Sequence, residues 1–232
     1  MKRRVAGPTQ QALFEFPEGL YAQEEEAWAR GLWVAGVDEV GRGPLAGPVV
    51  AAAVILDPVT RIEGLRDSKL LTPGQRQRLA RTVRRQALAW AVGRVGPARI
   101  DAVNILEATW RAMRAAIARL RVAPGLVLVD GRLRVPGLTQ PQRAIVAGDR
   151  RSASIAAASI LAKVTRDAMM LRADRRYPEY GFCRHKGYAT AAHLAALARL
   201  GPCPLHRRSF RGVARPSSRK ERPRLTPPRG VA

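Results

Sequence analysis

Acidic side chains follow three apolar segments of this chain. Val37 precedes Asp38 and Glu39, Val129 precedes Asp130, and Ala147-Gly148 precedes Asp149. A carboxylate beside a buried strand is costly unless it binds something positive, and strand ends at one edge of an α/β sheet lie close together. Oxygen ligands of this type suit Mg²⁺ or Mn²⁺. The sequence therefore predicts one site for divalent ions, and a pair of such ions can hydrolyse a phosphodiester.

The adjacent acids Asp38 and Glu39 pose a geometric problem. Neighbours in a regular strand point to opposite faces, so both side chains cannot aim at one point. We expect the strand to end or bulge there, or Glu39 to contribute its backbone carbonyl as well as its side chain. The alternative for any one acid is a turn or ion-pair role, since Asp130-Gly131 is a common turn dipeptide and Asp149 precedes two arginines. Because the chain has few acids, three such positions favour a metal site over separate turn or ion-pair roles.

The composition indicates a polyanionic partner. The 232 residues hold 41 Lys and Arg against 18 Asp and Glu, a net charge of +23, and residues 206–232 contain nine basic residues against Glu221 alone. Such an excess favours nucleic acid, although an arginine-rich solvated surface is the simpler alternative. Two cysteines and the lack of a secretory segment predict a cytoplasmic protein. No apolar run is long enough to span a membrane.

The pattern of apolar residues predicts an α/β domain over residues 13–212. Strands are expected at 33–37, 49–56, 88–95, 126–129 and 143–147. Helices are expected from the Thr72 cap to Gln86, as one long helix from Pro97 to Leu120, from a Ser152 or Ser154 cap onwards, and over 191–200. Residues 1–12 and 213–232 are predicted to be disordered, the latter as a basic tail.

Several segments resemble a known family. Residues 36–49 read Gly-Val-Asp-Glu-Val-Gly-Arg-Gly-Pro-Leu-Ala-Gly-Pro-Val, which closely resembles the opening motif of bacterial ribonuclease HII. Similar segments follow in the family's order at 67–69, 129–131, 148–149, 154–167, 180–182, 185–188 and 206–210. The resemblance implies a ribonuclease H-like fold, a central mixed β-sheet flanked by helices with a small helical C-terminal part. It also implies an endonuclease that cuts the RNA strand of RNA–DNA hybrids and incises 5′ of ribonucleotides in duplex DNA, leaving 3′-OH and 5′-phosphate.

The resemblance assigns roles to individual residues. Four acids would hold Mn²⁺ or Mg²⁺: Asp38, Glu39, Asp130 and Asp149. The loop of Gly41, Arg42 and Gly43 would grip the ribonucleotide, and Tyr188 would stack by the following deoxynucleotide. This agrees with physical chemistry, because glycines let a backbone approach a sugar closely and the 2′-OH distinguishes RNA from DNA.

Further residues look like contacts to backbone phosphates, namely Ser68, Lys69 and Lys186, with solvated surface groups as the alternative. Family members often carry a second lysine where this chain has Leu70, which weakens any strong phosphate clamp there. Asp167 lies inside a predicted helix and is expected to support the site from behind without binding metal.

Other functions fit less well. Cys183, His185, Cys203 and His206 could imitate a zinc site, but their spacing is irregular. Ribonuclease HIII carries a sizeable N-terminal domain, for which we expect the 32 residues before the first strand to be too few. A junction resolvase would not need the ribose-reading loop, and a non-catalytic RNA-binding protein would not need the four acids. A monomer is expected, and a sliding clamp is a possible partner of the tail.

Overall fold

The computed structural model describes residues 19–213. The predicted disorder of residues 1–12, and of the tail beyond residue 213, lies outside this range. The last described residue, Val213, is buried against the C-terminal part of the domain. Val213 therefore packs with the domain, and the predicted domain bounds stay a prediction.

A five-stranded mixed sheet forms the centre of the domain, with strand order β3-β2-β1-β4-β5. Its strands are β1 (Val34–Val40), β2 (Val49–Ile55), β3 (Ala89–Val95), β4 (Leu126–Asp130) and β5 (Gln142–Ile145). β1 pairs antiparallel with β2 and parallel with β4, which in turn is parallel to β5. The C-terminal ends of β1, β4 and β5 consequently meet at one edge of the sheet, as expected for the acid-bearing segments.

Helices cover both faces of the sheet, which confirms the predicted architecture. They are α1 (Ala22–Trp28), α2 (Pro73–Gln86), α3 (Pro97–Val103), α4 (Ile105–Ala118), α5 (Ala153–Arg176), α6 (Phe182–His185) and α7 (Ala191–Leu200). α5 packs across β1 and β2 on one face, and α4 packs on β2 and β3 on the other. Two large apolar clusters fill these interfaces. No helix within residues 19–213 is long and apolar enough to cross a membrane.

Local signals in the sequence fix the ends of these helices. Thr72 accepts a hydrogen bond from Gln75 N–H while the Gln75 side chain binds Thr72 N–H, a reciprocal cap for α2. Ser152 caps α5, and the buried Glu24 carboxylate accepts hydrogen bonds from Ser152 Oγ (2.5 Å), Ser154 N–H (2.9 Å) and Ser154 Oγ (2.6 Å). This negative charge lies at the positive end of the helix dipole, so α1 anchors the start of α5.

Three predicted boundaries are wrong. The long helix from Pro97 is two helices, because Asn104 adopts φ 69° and its side chain caps α4 through Leu106 N–H and Glu107 N–H. β1 extends to Val40 instead of ending at residue 37, since it keeps its pairing with β2. β5 ends at Ile145, and Ala147 with φ 52° turns the chain into a 3₁₀ helix, Gly148–Arg150.

The small helical C-terminal part is also present. α6, α7 and the loops around them pack on Leu45, Ala46 and Met170. His193 Nε2 lies 3.1 Å from His206 Nε2, and the rings of His185 and His193 stack at 4.3 Å. Burial and the neighbouring His193 lower the pKa of His206 to about 4. These imidazoles are a structural cluster of the C-terminal part, and no group of His, Cys, Asp or Glu in residues 19–213 forms a metal site by itself.

Candidate active site

A cavity of about 410 Å³ opens at the sheet edge where β1, β4 and β5 end. All four acids singled out in the sequence line it, and so do three of the predicted substrate contacts. The lining residues include Asp38, Glu39, Asp130, Asp149, Ser68, Lys69 and Tyr188. The structure thus brings together groups that are more than one hundred residues apart in the chain.

Asp38 occupies the face of β1 that packs against α5. Its side chain bonds with Ser159 of α5, and its Oδ1 accepts Glu39 N–H at 2.7 Å. Burial, followed by repulsion from Glu39 and Asp130, raises the pKa of Asp38 well above its ordinary value. A bound cation would oppose this shift, because an adjacent positive charge favours the ionised form of a buried carboxyl group.

Glu39 lies on the opposite face of β1, toward α4, as strand geometry requires. The expectation that β1 ends or bulges here is wrong, since regular pairing with β2 continues through Val40–Val50. Pairing with β4 extends only to Val37–Val129, so the sheet edge opens beyond that pair. Glu39 and Asp130 line both the main cavity and a second one beside α4. The acids therefore approach one another around the sheet edge instead of from one face.

Glu39 also has a cationic neighbour. Arg42 Nη1 lies 3.3 Å from Glu39 Oε1. Burial raises the pKa of Glu39, although the positive charge of Arg42 opposes this shift.

The other two acids are oriented by their neighbours. Asp130 Oδ1 accepts Gly148 N–H at 2.7 Å, which ties the end of β4 to the 3₁₀ turn that carries Asp149. Asp149 is 6% exposed, and burial together with repulsion from Asp67 raises its pKa. Lys69 Nζ, 3.7 Å from Asp149 Oδ2, opposes that shift. The prediction that Asp149 follows a strand directly is corrected by this intervening turn.

Asp67 is a buried acid that sequence reasoning did not single out. Its Oδ2 accepts hydrogen bonds from Arg150 Nε (3.1 Å) and Nη2 (3.0 Å), and its Oδ1 caps the turn through Lys69 N–H (2.9 Å). Although burial opposes it, these hydrogen bonds lower the pKa of Asp67. Asp67 therefore fixes the position of Ser68 and Lys69 beside Asp149. The only available signal was its place before Ser68-Lys69, where an aspartate caps a turn.

Basic and hydroxyl groups of α2 and α5 complete the cavity wall. Ser68 Oγ lies 2.9 Å from Ser159 Oγ, and Arg76 Nη1 donates to the carbonyls of Ser68 and Leu71. Lys163 also lines the cavity, and its Nζ donates to Asp167 at 2.8 Å. Asp167 itself is outside the cavity lining and reaches the cavity only through Lys163, so its supporting role stays a prediction.

The Gly41–Gly43 loop lies next to Tyr188, a residue of the cavity lining that is 44% exposed. A Cβ atom on Gly43 would lie 4.0 Å from Tyr188 Cε1, so the open loop and the ring face each other. Lys186 does not line the cavity, since its ammonium group binds the Cys183 carbonyl. Its predicted phosphate contact stays a prediction that would require this side chain to turn.

The donor set of the cavity fits a divalent cation. Its ligands would be carboxylate oxygens, and three of the four carboxyl groups have raised pKa values because they are buried and repel other acids. Within residues 19–213 no three of these groups close around a single point. Mg²⁺ keeps several waters and commonly binds one or two carboxylates plus substrate phosphate. The open arrangement therefore suits ions that are shared with a phosphate backbone.

The chain is similar to known proteins in both sequence and fold. The family model for ribonuclease HII matches residues 35–213. A ribonuclease HII from Nitrosococcus oceani is 60% identical over 182 residues, which cover 78% of this chain and 90% of that protein. The crystal structure of ribonuclease H2 from Pyrococcus horikoshii aligns with a TM-score of 0.67 and 30% identity, covering 78% of this chain and 94% of that one.

A third relative was solved with a partner. Ribonuclease HII from Archaeoglobus fulgidus, in a structure of its complex with PCNA, aligns with a TM-score of 0.61 and 29% identity, over 72% of this chain and 87% of that one. The predicted ribonuclease H-like fold is confirmed by these structural matches.

Proposed function

We propose, from the premise that this chain belongs to the ribonuclease HII family, that it incises duplex DNA on the 5′ side of an embedded ribonucleotide and leaves 3′-OH and 5′-phosphate ends. The chain is an endoribonuclease that cleaves the RNA of RNA–DNA hybrids, as its family membership establishes. One observation carries the finer proposal, namely that four carboxylates line one cleft with Tyr188, whose ring lies beside Gly43 of the Gly41–Gly43 loop.

The reaction that fits this cleft is metal-assisted hydrolysis. Asp38, Glu39, Asp130 and Asp149 would hold Mn²⁺ or Mg²⁺, which supplies Lewis acidity to activate water and to stabilise the leaving oxygen. The chain's own contribution is to hold the carboxylates in place. Ser159 and the Glu39 N–H orient Asp38, and the Gly148 N–H orients Asp130. These contacts fix the acids before substrate arrives, which lowers the reorganisation that the reaction requires.

Substrate binding is proposed to combine charge with shape. We infer that Lys69 and Ser68, which line the main cavity, contact the phosphate backbone on the α2 side, and that Arg42, which lines the second cavity, contacts it on the α4 side. The exposed Tyr188 ring offers a stacking surface for the sugar or base next to the ribonucleotide. The Gly41–Gly43 backbone would then contact the 2′-OH, which DNA lacks.

Three further aspects remain proposals. A sliding clamp is a candidate partner because the relative from Archaeoglobus fulgidus was solved with PCNA. A cytoplasmic location is proposed for an enzyme that acts on nucleic acid. A monomer is proposed because the described cavity is formed within one chain.

A comparison of substrates tests the proposal directly. A DNA duplex with one ribonucleotide, an all-DNA duplex of the same sequence and a long RNA–DNA hybrid would be incubated across titrations of Mg²⁺ and Mn²⁺, with EDTA as control. We expect one incision 5′ of the ribonucleotide, no cut in the all-DNA duplex and no reaction in EDTA. Cleavage of the hybrid alone would refute the ribonucleotide proposal, while binding without any metal-dependent cut would indicate a non-catalytic RNA-binding protein.

A further inference from the structure

We propose that Arg207, supported by Arg166, is a positioning residue that sets which way the Gly41–Gly43 loop presents its peptide groups to substrate. The inference rests on the proposed function of this loop and extends it to a residue in the C-terminal part. Both side chains are fully buried, with 0% of each residue exposed. In the sequence they stand out only as members of segments 154–167 and 206–210, which resemble the family.

Arg207 binds three backbone carbonyls of the loop and its continuation. Its Nη2 donates to Gly41 O at 2.5 Å, its Nη1 to Arg42 O at 2.7 Å and its Nε to Gly47 O at 2.9 Å. A guanidinium group can do this because its donors lie in one plane with a fixed fork geometry. Arg207 therefore holds two successive loop carbonyls toward the protein interior.

The inward carbonyls determine the outward groups. In a trans peptide the C=O and N–H point in opposite directions, and no cis peptide occurs in residues 19–213. Holding the Gly41 and Arg42 carbonyls inward thus turns the N–H groups of Arg42 and Gly43 outward. Neither N–H donates a hydrogen bond to another residue in the described part of the chain. Two free donors consequently point away from Arg207, at exposed residues of the cleft rim.

Arg166 extends the same arrangement along the loop. From α5 its Nε donates to Pro48 O at 3.0 Å and its Nη2 to Ala46 O at 3.1 Å. Its guanidinium carbon also lies 5.9 Å from the centre of the Tyr188 ring. The two arginine side chains together bind five of the eight carbonyls from position 41 to position 48, so both ends of this segment are held.

Burying two guanidinium charges costs free energy, and this cost argues for a specific role of the two arginines. Neither guanidinium forms an ion pair within residues 19–213, and the two like charges are neighbours. Buried charges normally require a carboxylate partner. Here the backbone carbonyls alone satisfy them, apart from Arg166 Nη1, which has no hydrogen-bond partner. An apolar side chain would fill the same space at lower cost but would leave the loop carbonyls unbound.

A separate anchor holds Arg207 in place. Asp101 of α3 accepts hydrogen bonds from Arg208 N–H (2.9 Å), Ser209 N–H (2.9 Å) and Ser209 Oγ (2.6 Å). Arg207 N–H donates to Leu45 O at 2.8 Å. The backbone on both sides of Arg207 is therefore fixed, and its side chain connects the C-terminal part to the loop through hydrogen bonds.

The test compares Arg207→Lys with Arg208→Lys, a change of the adjacent, exposed arginine whose side chain forms no hydrogen bond to the loop within residues 19–213. Both variants keep the net charge, so the attraction to phosphate is unchanged, but lysine cannot form the planar fork. Measurements would be the Tm, kcat and KM on the single-ribonucleotide duplex, and the ratio of Kd values in EDTA for the all-DNA and single-ribonucleotide duplexes. Arg166→Lys provides a second variant if Arg207→Lys does not fold.

For Arg207→Lys we expect the Kd ratio to fall by about tenfold, the order of one or two hydrogen bonds, with a matching fall in kcat. Affinity for the all-DNA duplex should stay within about twofold, and Arg208→Lys should behave as wild type. An unchanged Kd ratio and kcat would overturn the inference. So would equal losses on both duplexes with a lowered Tm, which indicate a purely structural role. A wild-type protein that does not distinguish the duplexes would instead refute the proposed ribonucleotide reading itself.

Discussion

Replacing Gly36 by alanine should damage both stability and catalysis, because β1 and α5 touch at this residue. A Cβ atom on Gly36 would lie 2.1 Å from Ser154 C, 2.2 Å from Ile155 N and 2.5 Å from Ser154 O. All three atoms belong to the backbone at the start of α5, so no side-chain rotation can relieve the clash. The helix would have to retreat from the strand.

The size of the effect follows from these distances. Ordinary contact begins at 3.4 Å, so the closest pair must separate by about 1.3 Å. Overpacking of a core costs about 1–3 kcal/mol, and contact with backbone places this case at about 3 kcal/mol or more. For a domain of this size that corresponds to a fall in Tm of roughly 6–12 °C.

Catalysis should fall as well, since Gly36 and Asp38 lie on the same face of β1. A retreat of α5 by about 1 Å would carry Ser159 and Lys163 away from Asp38, and a misplacement of that size can cost about 100-fold in rate. The assay is single-turnover cleavage well below the Tm of the variant, alongside thermal unfolding.

A matched control is available in α2. A Cβ atom on Gly74 meets nothing within 4 Å, and alanine favours a helix, so Gly74→Ala should keep or raise the Tm and leave cleavage unchanged. If Gly36→Ala retained the wild-type Tm and rate, the close packing of α5 on β1 would not be what positions the acids.

Three further predictions concern stability. Glu24→Ala should lower the free energy of unfolding by about 2–4 kcal/mol, because the buried serine donors at the start of α5 lose their acceptor. Urea denaturation measures this change, and an unchanged midpoint would contradict the prediction. Lowering the pH from about 6.5 to 4 should reduce the free energy of unfolding by at most about 3 kcal/mol, because His206 binds a proton in the unfolded chain but not in the folded protein, where it is buried. A free energy of unfolding that stays constant over this pH range would contradict the prediction. Asp38→Asn should raise the Tm in EDTA at neutral pH, because it removes a buried carboxyl group whose ionisation is unfavourable, and each kcal/mol gained corresponds to about 2–4 °C. Cleavage should be lost in the same variant. A lower Tm would argue against electrostatic strain at the site.

Much of the fold and site could be predicted because the signals are local. The apolar strands, the Thr72 cap and the acids after Val37 and Val129 are all visible in short stretches of sequence. Asn104 shows the limit of such reasoning, since an apolar stripe continued through it while its side chain broke the helix into two. The spacing of apolar residues indicates which face of a helix is buried, but it does not reveal a single residue with positive φ.

The remaining contacts could not be predicted because they join distant residues. Asp67 meets Arg150 across 83 positions, and Arg207 meets Gly41 across 166. A buried arginine that binds only carbonyls has no charge partner in the sequence to reveal it. Glu39 can approach the other acids at the sheet edge only because β4 stops pairing with β1 at Val37–Val129, and this end of the pairing is a property of the assembled sheet.

The most direct test of the account is single-turnover cleavage by Asp130→Asn, with Asp57→Asn as the control for an acid that lies outside the cavity. Both variants would be titrated with Mn²⁺ on the single-ribonucleotide duplex, and duplex affinity would be measured in parallel. We predict that Asp130→Asn binds the duplex as tightly as wild type but fails to cut it at any Mn²⁺ concentration, whereas Asp57→Asn cuts normally. Cleavage by Asp130→Asn at the wild-type rate would contradict the assignment of this carboxylate cluster as the metal-binding centre.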